Sequence, residues 1–357
     1  MKGLALEGGG GKGSYQIGAY IALKELGFKF DMVAGTSIGS LNAAMIAQGD
    51  IALAKKIWLS SDSEIVGISR ELVSIYKNFK IDKESIKTTI TEINKIIKNK
   101  GLDISNYKET IDKYVDETKV RNSKINYGLV TLRLNDLKPL ELTIKDIEEG
   151  KLSEYILASS YLPVFKFDKI INNSFYLDGG VINNLPISLL EENGCNDIIA
   201  IRIDGLGIKK EKNSSNTKVI ELSPTKDTGP IVMFDNNDIK NNYYMGYYDT
   251  LLYFNKLDGY KYYFKKFKYY KFLTRKNDEK LITLIKLKYK TTSIKETVLK
   301  SIEEILENEK QEYYKVYSIS KIIKYIKKNK LKSKNSLVNE FVYNLKYFYW
   351  KKIIKNI

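Results

Sequence analysis

Two short apolar runs, Gly3-Leu4-Ala5-Leu6 and Phe30-Asp31-Met32-Val33-Ala34, each pass through a glycine-punctuated turn into helix formers, residues 15–23 in the first case and 41–47 in the second. Strand, tight turn and helix in repetition is the grammar of a central sheet flanked by helices, an α/β fold. Further strand candidates at 125–134, 140–144, 198–203 and 219–222 extend that sheet. Between them, about 51 to 121 is polar and largely helical in pattern, with Ile86, Ile90, Ile93, Ile96 and Ile97 at helical spacing, and is expected to be an insertion or lid. Residues 209–216 mark an exposed loop, and from Asp238 onward the pattern is helical with short breaks.

The second turn is Gly35-Thr36-Ser37-Ile38-Gly39, a Gly-x-Ser-x-Gly pentapeptide in a chain with no histidine. Between a strand and a helix, Gly35 and Gly39 permit the sharp backbone that pushes a serine out toward a substrate, with the helix N-terminus behind it. A serine hydroxyl needs a base, and here that base cannot be imidazole, which excludes a Ser-His-Asp triad. The plain alternative is that Ser37 only caps the helix. The first turn, Gly8-Gly9-Gly10-Gly11-Lys12-Gly13-Ser14, lacks the spacing of a phosphate-binding Walker loop. Its bare N–H groups around Gly9, Gly10 and Gly11 suit an oxyanion beside a nucleophile. Lys12 either steadies this loop or attracts a phosphate, or is simply a solvated lysine. Ser14 and Ser40 are expected to cap or pack. The candidate base is Asp178, which ends an apolar stretch and precedes Gly179-Gly180 in Tyr176-Leu177-Asp178-Gly179-Gly180. Taken alone, Asp-Gly-Gly also reads as a turn.

In this order, the Gly-rich loop at 8–13, the Gly-x-Ser-x-Gly elbow and the Asp-Gly-Gly turn resemble the patatin-like phospholipase family. Two weaker features agree: Ala158-Ser159 followed by Pro163 and Phe165, and Asn184-x-Pro186 after the Asp-Gly-Gly. The likeness covers roughly residues 1 to 205, and the segment 245–250 looks like bacterial members with a C-terminal helical extension. It implies a patatin-like three-layer α/β/α hydrolase core, with Ser37 as nucleophile, Asp178 as base and Gly8 to Gly13 as oxyanion loop. Gly35, Gly39, Gly179 and Gly180 shape the elbow and the base turn. The implied chemistry is acyl-serine hydrolysis of phospholipid or other acyl esters, without metal or cofactor.

Charge divides the chain. Residues 1–258 carry 33 Lys/Arg against 34 Asp/Glu, and 259–357 carry 26 against 9, so the net +16 arises in the last part. There lysine alternates with aromatics, as in 260–272 and 343–354. The mixture suits an anionic membrane surface and, below it in rank, nucleic acid; the plain alternative is a biased composition whose rings form helical core. The expected organisation is a core over 1–205 with its insertion, a completing and connecting segment over 206–258, and a basic, mainly helical domain over 259–357. The lone Cys195 rules out an internal disulfide. No leader-like segment and no apolar run of about 20 residues occurs, so a cytoplasmic protein, peripheral at the membrane, is expected, with signal-independent secretion left open. A binding or effector role, with a hydrolase core that is inactive or awaits an activator, stands as the alternative function.

Overall fold

The computed structural model describes residues 1–60, 104–163, 165–166, 168–210, 215–229 and 236–347. The chain divides into two compact units, Met1–Thr250 and Leu251–Ile357.

The first unit is built on a sheet in the order β4-β3-β2-β1-β6-β7, with β5 also paired to β3. Its strands are β1 (Lys2–Leu6), β2 (Met32–Thr36), β3 (Asn126–Arg133), β4 (Lys138–Thr143), β5 (Tyr176–Asp178), β6 (Asp197–Ile201) and β7 (Lys218–Leu222). The neighbours β3-β2-β1-β6-β7 run parallel, while β4 and β5 pair antiparallel with β3. Every residue of β2, and every residue of β1 after Lys2, is buried. Central parallel strands covered on both faces must read as continuous apolar runs, which is why these two were visible in the sequence. The helix Ile187–Glu192 covers one side through a core that includes Leu189, Leu190, Met32, Val130 and Ile198. Helices α1 (Ser14–Glu25), α2 (Ile38–Ala47) and α3 (Ile51–Leu59) follow the first two strands.

The inserted region is described in part. Helices Ser105–Tyr114 and Glu117–Arg121 are present, whereas 61–103, with the isoleucine periodicity at 86–97, lies outside the described residues. The segment 245–250 is a packing device. Gly246 lies against the Tyr15 carbonyl so closely that a Cβ would collide with it, and Asp249 accepts hydrogen bonds from Tyr15 Oη (3.2 Å) and Thr225 Oγ1 (2.7 Å).

The second unit is mainly helical, with helices at 270–273, 279–289, 294–308, 319–328 and 336–344. It also holds a small sheet absent from the sequence reading, β10 (Val316–Tyr317), β9 (Tyr263–Lys265) and β8 (Leu257–Asp258) in that order. The unit therefore begins before the charge change at 259. Its core gathers Phe264, Leu273, Ile302, Ile305, Ile323 and Phe341. The aromatic run at 260–272 splits: Tyr262, Tyr263, Phe264 and Tyr270 are buried, while Tyr260 and Tyr269 are exposed. Burial thus accounts for four of the eight rings in that run, with Phe267 and Phe272 half-buried. In the closing run, Leu345 joins the core, and 348–357 lies outside the described residues.

Candidate active site

Strand β3 is what brings the two halves of the site together. Val130 pairs with Thr36 on β2, and the next residue, Thr131, pairs with Asp178 on β5. The residue after Thr36 and the last residue of β5 are therefore set side by side, although 141 positions separate them (178 − 37). The Ser37 hydroxyl comes near enough to the Asp178 carboxylate to pull its pKa down.

Ser37 occupies the N-cap position of α2 at φ 55° and ψ −128°, and its side chain makes no capping hydrogen bond. The helix-cap alternative is thereby set aside. A positive φ in a non-glycine residue is strained. The elbow closes tightly enough that a Cβ on Gly39 would collide with the Leu6 carbonyl oxygen, and one on Gly35 with that of Gly39. Ser40 donates to the Ser37 carbonyl (2.6 Å), a packing role, as expected. The Ser37 N–H donates to Ser159 Oγ (2.9 Å), which itself donates to Val130 O (2.7 Å). Ser159 therefore pins the elbow to β3. It stood in a quoted motif, but nothing local announced this role.

Asp178 is 6% exposed, and its Oδ1 accepts the Gly180 N–H at 2.7 Å. Burial pushes its pKa up to about 6, against the opposing pull of the Ser37 hydroxyl and the Gly180 N–H. Desolvation outweighs hydrogen bonding here, giving a carboxylate more basic than a free aspartate. Tyr107 is fully buried near by: its phenol is held above its usual range first by burial and also by the Asp178 charge, and its hydroxyl lies 3.1 Å from Ser160 Oγ.

The glycine loop sits against Ser37, since a Cβ on Gly8 would lie 3.1 Å from Ser37 Cβ and would collide with Asn184 Oδ1. Its donors are not equivalent. Gly8 N–H is committed to the Asn184 carbonyl (3.0 Å), and Lys12 N–H to Gly9 O in the tight turn Gly10–Gly13. The N–H groups of Gly9, Gly10 and Gly11 have no acceptor among the described residues. Gly8 thus enters as a structural member of the loop and not as a donor, because its amide anchors the loop to Asn184. Asn184 Nδ2 also donates to Gly8 O (3.1 Å). At the far end Asn42 Nδ2 donates to Gly13 O (3.0 Å) and to Gln16 Oε1 (2.8 Å), while Gln16 Nε2 donates to Glu7 O (2.6 Å). Neither Asn42 nor Gln16 was marked by a motif.

Lys12 is 6% exposed, which overturns the solvated-lysine alternative. Its Nζ donates to Asp204 O (3.2 Å), and burial lowers its pKa against the raising influence of Asp204, Asp227 and Glu7. Ser14 is also buried, as the first residue of α1, and the N-cap position falls to Gly13.

The segment following β6 lies over this constellation. Ile208 N–H donates to Gly180 O (2.8 Å), and Gly205 abuts the Gly8 carbonyl. On it Leu206 is 62% and Ile208 58% exposed, and Val181, beside the base turn, is 40% exposed. An apolar rim at the strand ends, where open α/β sheets place their ligands, suits an acyl chain. Among the described residues no group of three or more His, Cys, Asp or Glu side chains could hold a metal ion, and no helix is long and apolar enough to cross a membrane.

Residues 4–190 match the model of the family described as patatin-like phospholipase. Lysophospholipase NTE1 of Saccharomyces cerevisiae is 26% identical over 205 residues, covering 56% of this chain and 11% of the yeast protein. Patatin-like phospholipase domain-containing protein 6 of Homo sapiens is 26% identical over 208 residues, 56% of this chain and 13% of the human protein. The chain thus spans little more than a tenth of these relatives. Among solved structures, VipD from Legionella pneumophila aligns with a TM-score of 0.43 at 15% identity, covering 92% of this chain and 79% of that one.

Proposed function

The chain belongs to the patatin-like phospholipase family, and from that premise we propose that it is a serine-dependent lipid acyl hydrolase of the phospholipase A type. The observation that carries the proposal is the pairing of Thr36 and Asp178 with successive residues of β3, which sets Ser37, held in a strained elbow, beside a buried carboxylate whose pKa is pushed up to about 6. Asp178 takes the hydroxyl proton as Ser37 Oγ attacks the ester carbonyl. The C–O bond of the leaving alcohol then breaks, and Asp178 returns the proton to it. Water repeats the sequence on the acyl-serine, releasing fatty acid and restoring the hydroxyl. Near neutral pH, a base of this pKa is about nine-tenths ionised yet stronger than a solvated aspartate.

The N–H groups of Gly9, Gly10 and Gly11 are the donors proposed for the oxyanion. Phospholipids and lysophospholipids are the proposed substrates, given the names of the relatives and the apolar rim formed by Val181, Leu206 and Ile208. The basic second unit is proposed to favour an anionic membrane surface.

The test is fatty-acid release from mixed vesicles with chelator present, comparing the wild type with Ser37→Ala and Asp178→Asn. Each substitution is expected to lower kcat by about a thousandfold or more while the melting temperature is retained. Full release by either folded variant would overturn the dyad.

A further inference from the structure

The second unit carries a groove of about 720 Å³ between the segment 267–275, the helix Glu279–Tyr289 and the N-terminal end of the helix Ile294–Asn308. Its walls hold five cations, Lys268, Lys271, Arg275, Lys286 and Lys295, and no carboxylate. Lys295 is already paired: it lies 2.6 Å from Asp258, a buried carboxylate that also holds Lys266 at 2.9 Å and accepts from Tyr270 Oη at 3.0 Å. Elsewhere in the unit Lys261 pairs with Glu307, Lys288 with Glu304 and Lys315 with Glu312. Lys268, Lys271, Arg275 and Lys286 form no ion pair with a carboxylate among the described residues. Like charges gathered in one concavity repel, and an anion entering it relieves all of those repulsions together.

The groove has directional chemistry as well as charge. The Arg275 guanidinium sits 4.9 Å from the Phe272 ring centre, a stacking contact that orients its planar fork of donors. Thr292 and Ser293 bring hydroxyls to the positive end of a 15-residue helix. Tyr269, 58% exposed, belongs to the same lining and has the amphipathic ring that settles at headgroup level. Four unpaired cations correspond to more than one negative charge. A phosphomonoester, with a charge near −2 and three acceptor oxygens, meets that demand, whereas a zwitterionic diester headgroup brings its own cation.

We propose that this groove binds the phosphomonoester of an anionic phospholipid headgroup and so anchors the chain at a membrane. The proposal rests on the reading of the basic unit as membrane-facing, and the experiment separates the two. Full-length protein carrying Ser37→Ala, to prevent turnover, is sedimented with vesicles of phosphatidylcholine containing either phosphatidic acid or phosphatidylserine, matched for surface charge. Lys271→Ala with Lys286→Ala is compared with Lys321→Ala with Lys328→Ala, a pair that removes the same charge from the helix Ile319–Lys328. Melting temperatures establish that both are folded.

The parent and the control pair should prefer phosphatidic acid by about tenfold, and the groove pair should lose that preference. Equal binding to both anionic vesicles by the parent overturns the groove and keeps the membrane reading. No binding to either overturns both. Equal losses from the two double variants overturn the groove in favour of net charge. Saturable binding of soluble glycerol 3-phosphate at the groove, without preference among vesicles, overturns the lipid assignment.

Discussion

The two units place their chemistry in different parts of the chain. In the first it is written in the backbone: N–H groups on a glycine loop, a serine at φ 55° and a carboxylate on a turn that two glycines allow. In the second it lies in the charge and rings of side chains on ordinary helices, with no motif. Backbone geometry demands particular residues at particular positions, so it leaves a spelled signature. A charged surface demands only a balance, which many sequences satisfy. The first unit therefore announced a mechanism in the sequence, and the second announced only an affinity for anions.

If that division is right, substitutions in one unit should spare the function proposed for the other. Gly8→Ala is the severest test, because its Cβ would meet Asn184 Oδ1 and displace the glycine loop. We expect hydrolysis to fall by about a hundredfold or more, with vesicle binding unchanged. A parallel loss of both, in a folded variant, would break the division.

Acidity gives the next largest effect. In the proposed role of base Asp178 works only when ionised, so kcat/KM should fall about tenfold per pH unit below its pKa of about 6. Stability runs the other way. The folded pKa lies above the ordinary value of 3.8, so the contribution is fully present below about 4 and is lost as pH rises through about 6. Its full size is roughly 3 kcal/mol. Denaturant melts of wild type against Asp178→Asn should show this difference, with the variant flat across that window. Because the chain has no histidine, binding to phosphatidylserine vesicles should change little between about pH 5.5 and 7, the upper part of the fall in kcat/KM.

Ser159→Ala removes the hydroxyl that pins the Ser37 amide to Val130. It should cost about tenfold in kcat with KM nearly constant, and Ser159→Cys should restore part of it. A change in KM alone would argue against a positioning role. The smallest expected effect is at the rim: Leu206→Ser with Ile208→Ser should lower turnover on vesicles severalfold while sparing a short-chain soluble ester. Equal turnover on both substrates would remove the rim from the lipid-binding surface and leave the second unit to supply it.

Legibility followed the same physics. β1 and β2 were plain because both faces are buried, and the Ser37 and Asp178 turns because glycine is obligatory there. β5 has three residues and β8 two, too short for a period of two to register. Asn42, Gln16 and the second role of Asn184 were hidden because amide side chains acquire meaning only from carbonyls brought to them by folding. Lys12 was read in both directions because burial depends on the segment carrying Asp204, which lies far along the chain. Leu206 and Ile208 sit in a glycine-rich connection where exposed apolar residues follow no periodicity.

The backbone angle at Ser37 reaches beyond turnover. A non-glycine residue held there costs about 1 to 3 kcal/mol of folding free energy, a cost glycine would largely escape. The position of the proposed nucleophile therefore has a thermal mark that needs no lipid to be seen. It is a place where the chain would resist heat better with no side chain at all, and that lost resistance accompanies holding a serine ready to react.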